Sequence, residues 1–148
     1  MNIGAIREAL AGLVRVVTDA SDYPANVHAY PSGTPIMPAV LVLPAPFEGG
    51  QYVNYYGTFG NHMCAIGLRL EVRVSANDED AARTLDTYMS TIIPDVLTAI
   101  DADPTLGGLC QSVFGRDSTV PAEFAPAEGD TRTWLSASVA FEVLARRS

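Results

Sequence analysis

Lysine is absent from this chain of 148 residues, and histidine and cysteine occur only twice each. Without lysine there is no phosphate-cradling G-x-x-x-x-G-K-[ST] loop and no Schiff-base chemistry. All nine cations are arginines, set against seventeen acidic residues, for a net charge of −8 and a pI near 4.5. An acidic chain without a basic patch does not grip a nucleic-acid backbone, because that affinity comes from neutralising phosphates. It can line a channel through which DNA slides without sticking, and it also serves plain solubility. Cys64 and Cys110 are too far apart and too few to make a disulfide framework, and they read as buried free thiols. His28 and His62 belong to no metal-ligand spacing; His62 and Cys64, two apart, are the best pair on offer, and ordinary core and loop roles explain them. No G-x-S-x-G elbow is present. No apolar run reaches the roughly 18 residues of a membrane span. The N-terminus, Met1-Asn2-Ile3-Gly4-Ala5-Ile6-Arg7-Glu8, lacks the pattern of a signal peptide, so the expectation is a soluble protein made in the cytoplasm.

What the chain does have is concentrated in residues 64–108. In Cys64-Ala65-Ile66-Gly67-Leu68-Arg69-Leu70-Glu71-Val72-Arg73-Val74-Ser75 the even positions through 74 are apolar, while the odd ones include Arg69, Glu71 and Arg73. That period of two predicts a strand with one face on a core and one in water. Asn77 is placed to cap a following helix, with Asp78, Glu79 and Asp80 favourable to its dipole. Leu85, Tyr88, Met89 and Ile92 continue a helical face. Pro94 predicts a break, with one helix ending near Ile92 and a second running to Ala102 with Pro94 in its first turn. Asp103, Pro104, Gly107 and Gly108 then form a structural turn.

Before this block, Ile3, Ile6, Leu10, Leu13, Val14 and Val17 predict an amphipathic helix over 2–19, capped by Asn2 and showing Arg7, Glu8 and Arg15 to solvent. Ser21-Asp22-Tyr23-Pro24 ends it. Residues 26–30 suggest a short strand. The continuous apolar run of 38–44 suggests another strand, buried on both faces and therefore central. After the turn, residues 109–114 form a short strand. The last segment places Leu135, Ala137, Val139, Phe141 and Val143 on one side, with Trp134, Ser136, Ser138 and Glu142 on the other. No internal repeat or domain boundary is visible, and a chain of this size fits one domain over 1–148. The fold class is α+β: a mainly antiparallel or mixed sheet of about four to five strands, flanked by the N-terminal helix and the Pro-interrupted helical segment.

Two stretches have no evident place in a core. Residues 45–63 are rich in Gly, Asn and aromatics, with Phe47, Tyr52, Tyr55, Tyr56 and Phe59; residues 117–130 hold prolines and acids around Glu123 and Phe124. A loop that long in a small domain usually works or moves. A subunit or partner surface built on these residues competes with simple local packing.

The order of elements resembles the tail terminator proteins of long-tailed bacteriophages, especially those of actinobacterial hosts. The matching pieces are the N-terminal helix, the Pro38-Ala39-Val40-Leu41-Val42 strand and the alternating strand 66–74 leading into Asp80-Ala81-Ala82-Arg83-Thr84-Leu85-Asp86-Thr87-Tyr88. They continue with Val96-Leu97-Thr98-Ala99-Ile100, the sharpest piece Asp103-Pro104-Thr105-Leu106-Gly107-Gly108, and the closing strand. The resemblance covers nearly the whole chain but not the aromatic loop or the segment 117–130. It implies a non-enzymatic virion subunit without cofactors that assembles into a homohexameric ring. Such a ring caps the tail tube protein, stops tube growth and joins the tail to a head-completion or connector protein, while DNA passes through without specific binding. Another connector ring, such as a head-completion or stopper protein, has the same physics. A tail tube subunit would instead form long polymers. A small-molecule-binding domain would use the loop aromatics and His62.

Overall fold

The strand with the longest alternation occupies the middle of the fold. The computed structural model describes residues 1–31, 33, 35–55, 62–76, 79–116 and 134–146. Within them lie α1 (Ile3–Asp19), β1 (Asn26–His28), β2 (Ala39–Pro44), β3 (Val53–Tyr55), β4 (Met63–Ser75), α2 (Ala81–Thr87), a π turn (Tyr88–Ile92), α3 (Ile93–Ala102), β5 (Ser112–Arg116) and β6 (Trp134–Arg146). The six strands make one mixed sheet in the order β1-β2-β4-β6-β5, with β3 also paired to β4. Only β1 and β2 run parallel. The architecture is thus α+β, with six strands where four to five were expected. The additional strand is β3, inside the stretch read as a 45–63 loop, where Val53, Asn54 and Tyr55 face Ile66, Ala65 and Cys64.

One face of the sheet carries the core. Cys64, Ile66, Leu68, Leu70, Val72 and Val74 of β4 are buried with Val40 and Val42 of β2 and Leu135, Phe141 and Val143 of β6. Ile6, Leu10 and Val14 of α1 cover them from one side, and Leu85, Ile92, Val96 and Ile100 from the other. Asn2 caps α1 as expected, its side-chain oxygen accepting from the Ala5 N–H at 2.9 Å.

Arg7 is a correction. It is buried, donating from Nε to the Ala29 carbonyl and from a terminal nitrogen to that of Val42, with its guanidinium 4.1 Å from the Tyr30 ring centroid. Its position, four after Ile3 and three before Leu10, puts it on the core face, where carbonyls left open at the strand ends satisfy its charge.

The second helix begins at Ala81 with Asp80 in the cap position and no side-chain cap bond. Asn77, the expected cap, and Asp78 lie outside the described residues. The expected break before Pro94 is a π turn: the Ile93 N–H reaches back to the Tyr88 carbonyl, and Pro94 enters the first turn of α3. Widening the helix by one residue absorbs the proline, which lacks an N–H and crowds the preceding turn, without ending the helix.

The odd face of β4 is not in water, a second correction. Glu71 is 6% exposed, and Leu41, opposite it on β2, is fully buried. Two outcomes follow for stability. Leu70→Asp should abolish soluble folding, since it sets an unpaired charge in the core. Arg69→Asp, harmless on a solvated face, should here cost stability by setting an acid against Glu71, read as a lowered urea midpoint.

Burial pushes the Tyr88 hydroxyl up from its ordinary value of 10.0, with Tyr23 adding to the effect. Burial likewise raises the Cys110 thiol from 9.0; Asp103 adds to this and a backbone hydrogen bond at Ser112 opposes it. Both groups keep in the folded state a proton that the unfolded chain releases, so stability holds below the ordinary values and falls as pH climbs through them. The urea midpoint should therefore begin to fall as pH passes about 9 and go on falling above about 10. Tyr88→Phe should reduce that drop, while costing about 1 kcal/mol at neutral pH through loss of the hydroxyl's 2.6 Å bond to the Pro24 carbonyl.

Candidate interaction surface

Strands β2 and β3 are two halves of one path along β4, interrupted by an excursion that starts and ends at Gly67. The Ala45 N–H donates to the Gly67 carbonyl at 2.9 Å, and the Gly67 N–H donates to the Tyr52 carbonyl at 2.7 Å. Between them the chain folds back on itself, with Phe47 N–H bonded to the Gln51 carbonyl and Gly50 N–H to that of Phe47. Gly49 and Gly50 supply the positive φ values of 101° and 92° that this return requires. Pro44 and Pro46 deny the sheet two donors where the path leaves it.

Gly67 is the point of closest approach. A Cβ there would run into the Ala45 carbonyl and the Arg116 guanidinium. Arg116 reaches from β5 across the sheet, donating to the carbonyls of Ala45 at 2.6 Å and Pro46 at 2.7 Å, with its guanidinium 4.3 Å from the Phe47 ring centroid. The arginine fork matches two adjacent carbonyls while its flat face stacks on the ring.

The aromatics singled out in the sequence therefore have different environments. Phe47 is held under Arg116, Tyr52 packs half-buried against the core, and Tyr55 is 60% exposed at the end of β3. Tyr56, Phe59, Glu123 and Phe124 lie outside the described residues, as does the segment 117–130.

Beside the excursion, the odd face of β4 presents a row of charge. Glu71 sits between two arginines, 2.6 Å from Arg73 Nε and 3.7 Å from a terminal nitrogen of Arg69. The Arg73 guanidinium lies 4.7 Å from the Trp134 ring centroid. Arg69 faces Leu43, and Arg73 faces Ala39, so the arginine stems run beside apolar neighbours on β2. Arg69 Nε and Ser138 Oγ are buried without a hydrogen-bond partner among the described residues. The sequence names Arg69, Glu71 and Arg73 but places them in water, yet a signal for their burial is present. A β2 apolar on both faces implies that the strand beside it is also covered on both.

The turn after α3 is closed by its own side chains. Asp103 Oδ1 accepts from the Gly107 N–H at 3.2 Å and the Thr105 hydroxyl at 3.3 Å. Leu106, Gly107 and Gly108 take positive φ. The outcome is a tight reversal that delivers Leu109 to the surface, 41% exposed, and Cys110 to the interior.

Chemistry has little to work with among the described residues. His62 is exposed just ahead of β4, whereas Cys64 is fully buried. No group of three or more His, Cys, Asp or Glu is placed to hold a metal ion among them, and no described helix is long and apolar enough to cross a membrane. The chain matches no known family model and no curated protein.

Gly67→Ala tests the excursion. It should destabilise the fold by roughly 1–3 kcal/mol or more through overpacking, read as a lowered melting temperature. A parent-like melting curve would show that the 45–52 path is not held against β4.

Proposed function

We propose that this chain is a structural virion subunit, the tail terminator of a long-tailed phage, forming a homohexameric ring that caps the tail tube and joins it to the head-completion proteins. The reading is carried by the sequence resemblance spanning nearly the whole chain, above all by Asp103-Pro104-Thr105-Leu106-Gly107-Gly108.

Two features of the fold and one of the composition support it. The sheet ends in β1 and β5, which have no further strand partner among the described residues, and unlike edges at the two ends suit a head-to-tail contact. The row of Arg69, Glu71 and Arg73 is charged yet largely withdrawn from water, as in surfaces that are structural before they are chemical. The charge of −8 suits a ring that DNA must traverse without sticking.

A terminator converts an open polymer into a closed one, so it must bind a finished tube end better than further tube subunits do. Deleting its gene should yield DNA-filled heads without tails, alongside tubes of uncontrolled length, in electron micrographs. Head-attached tails of normal length in the deletion would reject the terminator reading. Normal-length tails that fail to join heads would favour a head-side connector ring.

A further inference from the structure

The helical layer has two unlike ends. At the C-terminal end of α1, a groove of about 460 Å³ opens between that helix and the start of α3, lined by Val16, Val17, Ala20 and Tyr23 with Asp22 and Asp95 among its walls. Val16 is 69% exposed and Tyr23 38%. The groove holds two acids and no base among its lining residues. Arg15, the nearest cation in sequence, is turned to the Val27 carbonyl at 3.2 Å.

At the other end of α1, Leu109 and Arg146 share a recess with Met1. The Asp103–Gly108 turn brings Leu109 there, because α3 ends where α1 begins. At 1.5 Å per residue, α1's seventeen residues separate the two sites by about 25 Å. Of the seven large apolar side chains exposed among the described residues, three belong to these two ends. They do not mark an evenly greasy surface.

The helix dipole sharpens the contrast. Its C-terminal end carries partial negative charge and favours cations, yet the last turn of α1 has no base and is followed by Asp22. Its N-terminal end favours anions, yet the first turn has no acid and Arg146 lies near by. The dipole of α1 thus opposes Asp22 and Arg146, whereas Asp95 sits in the first turn of α3, where an acid is favoured. Among the described residues neither Asp22 nor Arg146 has an ion-pair counterpart; the charge of each matches the other end of a second copy.

We propose that these ends are the two halves of a head-to-tail contact between copies of this chain. Leu109 of one copy enters the groove of the next, and Arg146 is set between Asp22 and Asp95. The occupant is a second copy because the missing charge and the missing apolar group both occur together at the opposite end. The contact is heterologous, so it propagates to a closed ring or an open filament. It rests on the ring reading above and names the surfaces that build it.

The test uses the full chain, with assembly followed by light scattering and by electron microscopy of preassembled tail tubes mixed with it. Asp22→Arg combined with Asp95→Arg, and separately Arg146→Asp, should each lower the assembled or tube-bound fraction at least tenfold with circular dichroism unchanged. Combining all three substitutions should restore assembly, which a merely damaged fold would not do. Leu109→Ser should weaken assembly without that rescue. If the charge variant at either end assembles like the parent, or if the combined variant folds but is not rescued, this contact is overturned while the ring reading stands. A parent chain that stays monomeric with and without tube ends overturns the ring reading and this contact together.

Discussion

The pairing of β4 with β6 is the constraint on which the rest depends. From Met63 opposite Arg146 to Ser75 opposite Trp134, thirteen residues pair without interruption. A slip of one position would turn every side chain of one strand to the other face. It would bring Arg69, Glu71 and Arg73 beneath the helices and send Ile66, Leu68 and Leu70 away from them. The apolar alternation on both strands therefore fixes the register far more firmly than any turn could. With that ladder set, only the other edge of β4 is left for β2 and β3. Gly67 is then the residue at which their shared path must detach and return.

The helix-free face has a different logic from the core. Its central charges are largely withdrawn from water and are held by one another: Glu71 between two arginines, and one of those arginines over Trp134. Such a row gains little stability over apolar residues, because desolvation offsets much of the attraction. Glu71 is the member on which the row depends, since removing it leaves two arginines without their shared partner. Arg116 does similar work nearby, serving two carbonyls and a ring at once. Together these arginines explain how a chain without lysine can place cations where little water reaches: a planar, weakly hydrated guanidinium tolerates such sites better than an ammonium.

Periodicity made the elements legible and composition misled about their exposure. Alternation gave β4 and β6, helical spacing gave α1, and glycine and proline gave the 103–108 turn. For Arg7 position outweighs charge: it occupies the same stripe as Ile3, Leu10 and Val14. Glu71 departs from the solvated expectation because alternation alone does not put solvent on the polar side, and the all-apolar β2 beside it implies cover on both faces. Three-residue β3 has too few residues to declare a period, and it is specified by its partner on β4. The π turn was half legible. Pro94 announced an irregularity, but only the burial of Tyr88, Ile92 and Ile93 on one face explains why the helix widens and does not stop. The groove at the end of α1 had no local signature, since its walls come from residues about seventy positions apart.

Charge also bears on when such a subunit would assemble. Copies carrying −8 each repel over roughly a Debye length, about 8 Å at physiological salt, whereas an arginine set between two aspartates at a contact is screened much less. The long-range term disfavours chance encounters in solution, and the short-range term favours a correctly docked pair. On the ring reading, that balance disfavours free rings and favours growth on a surface that already holds a first subunit in place. A tube end is such a surface. On that reading, the acidity proposed to keep DNA from sticking would also keep the cap from closing before there is a tube to cap.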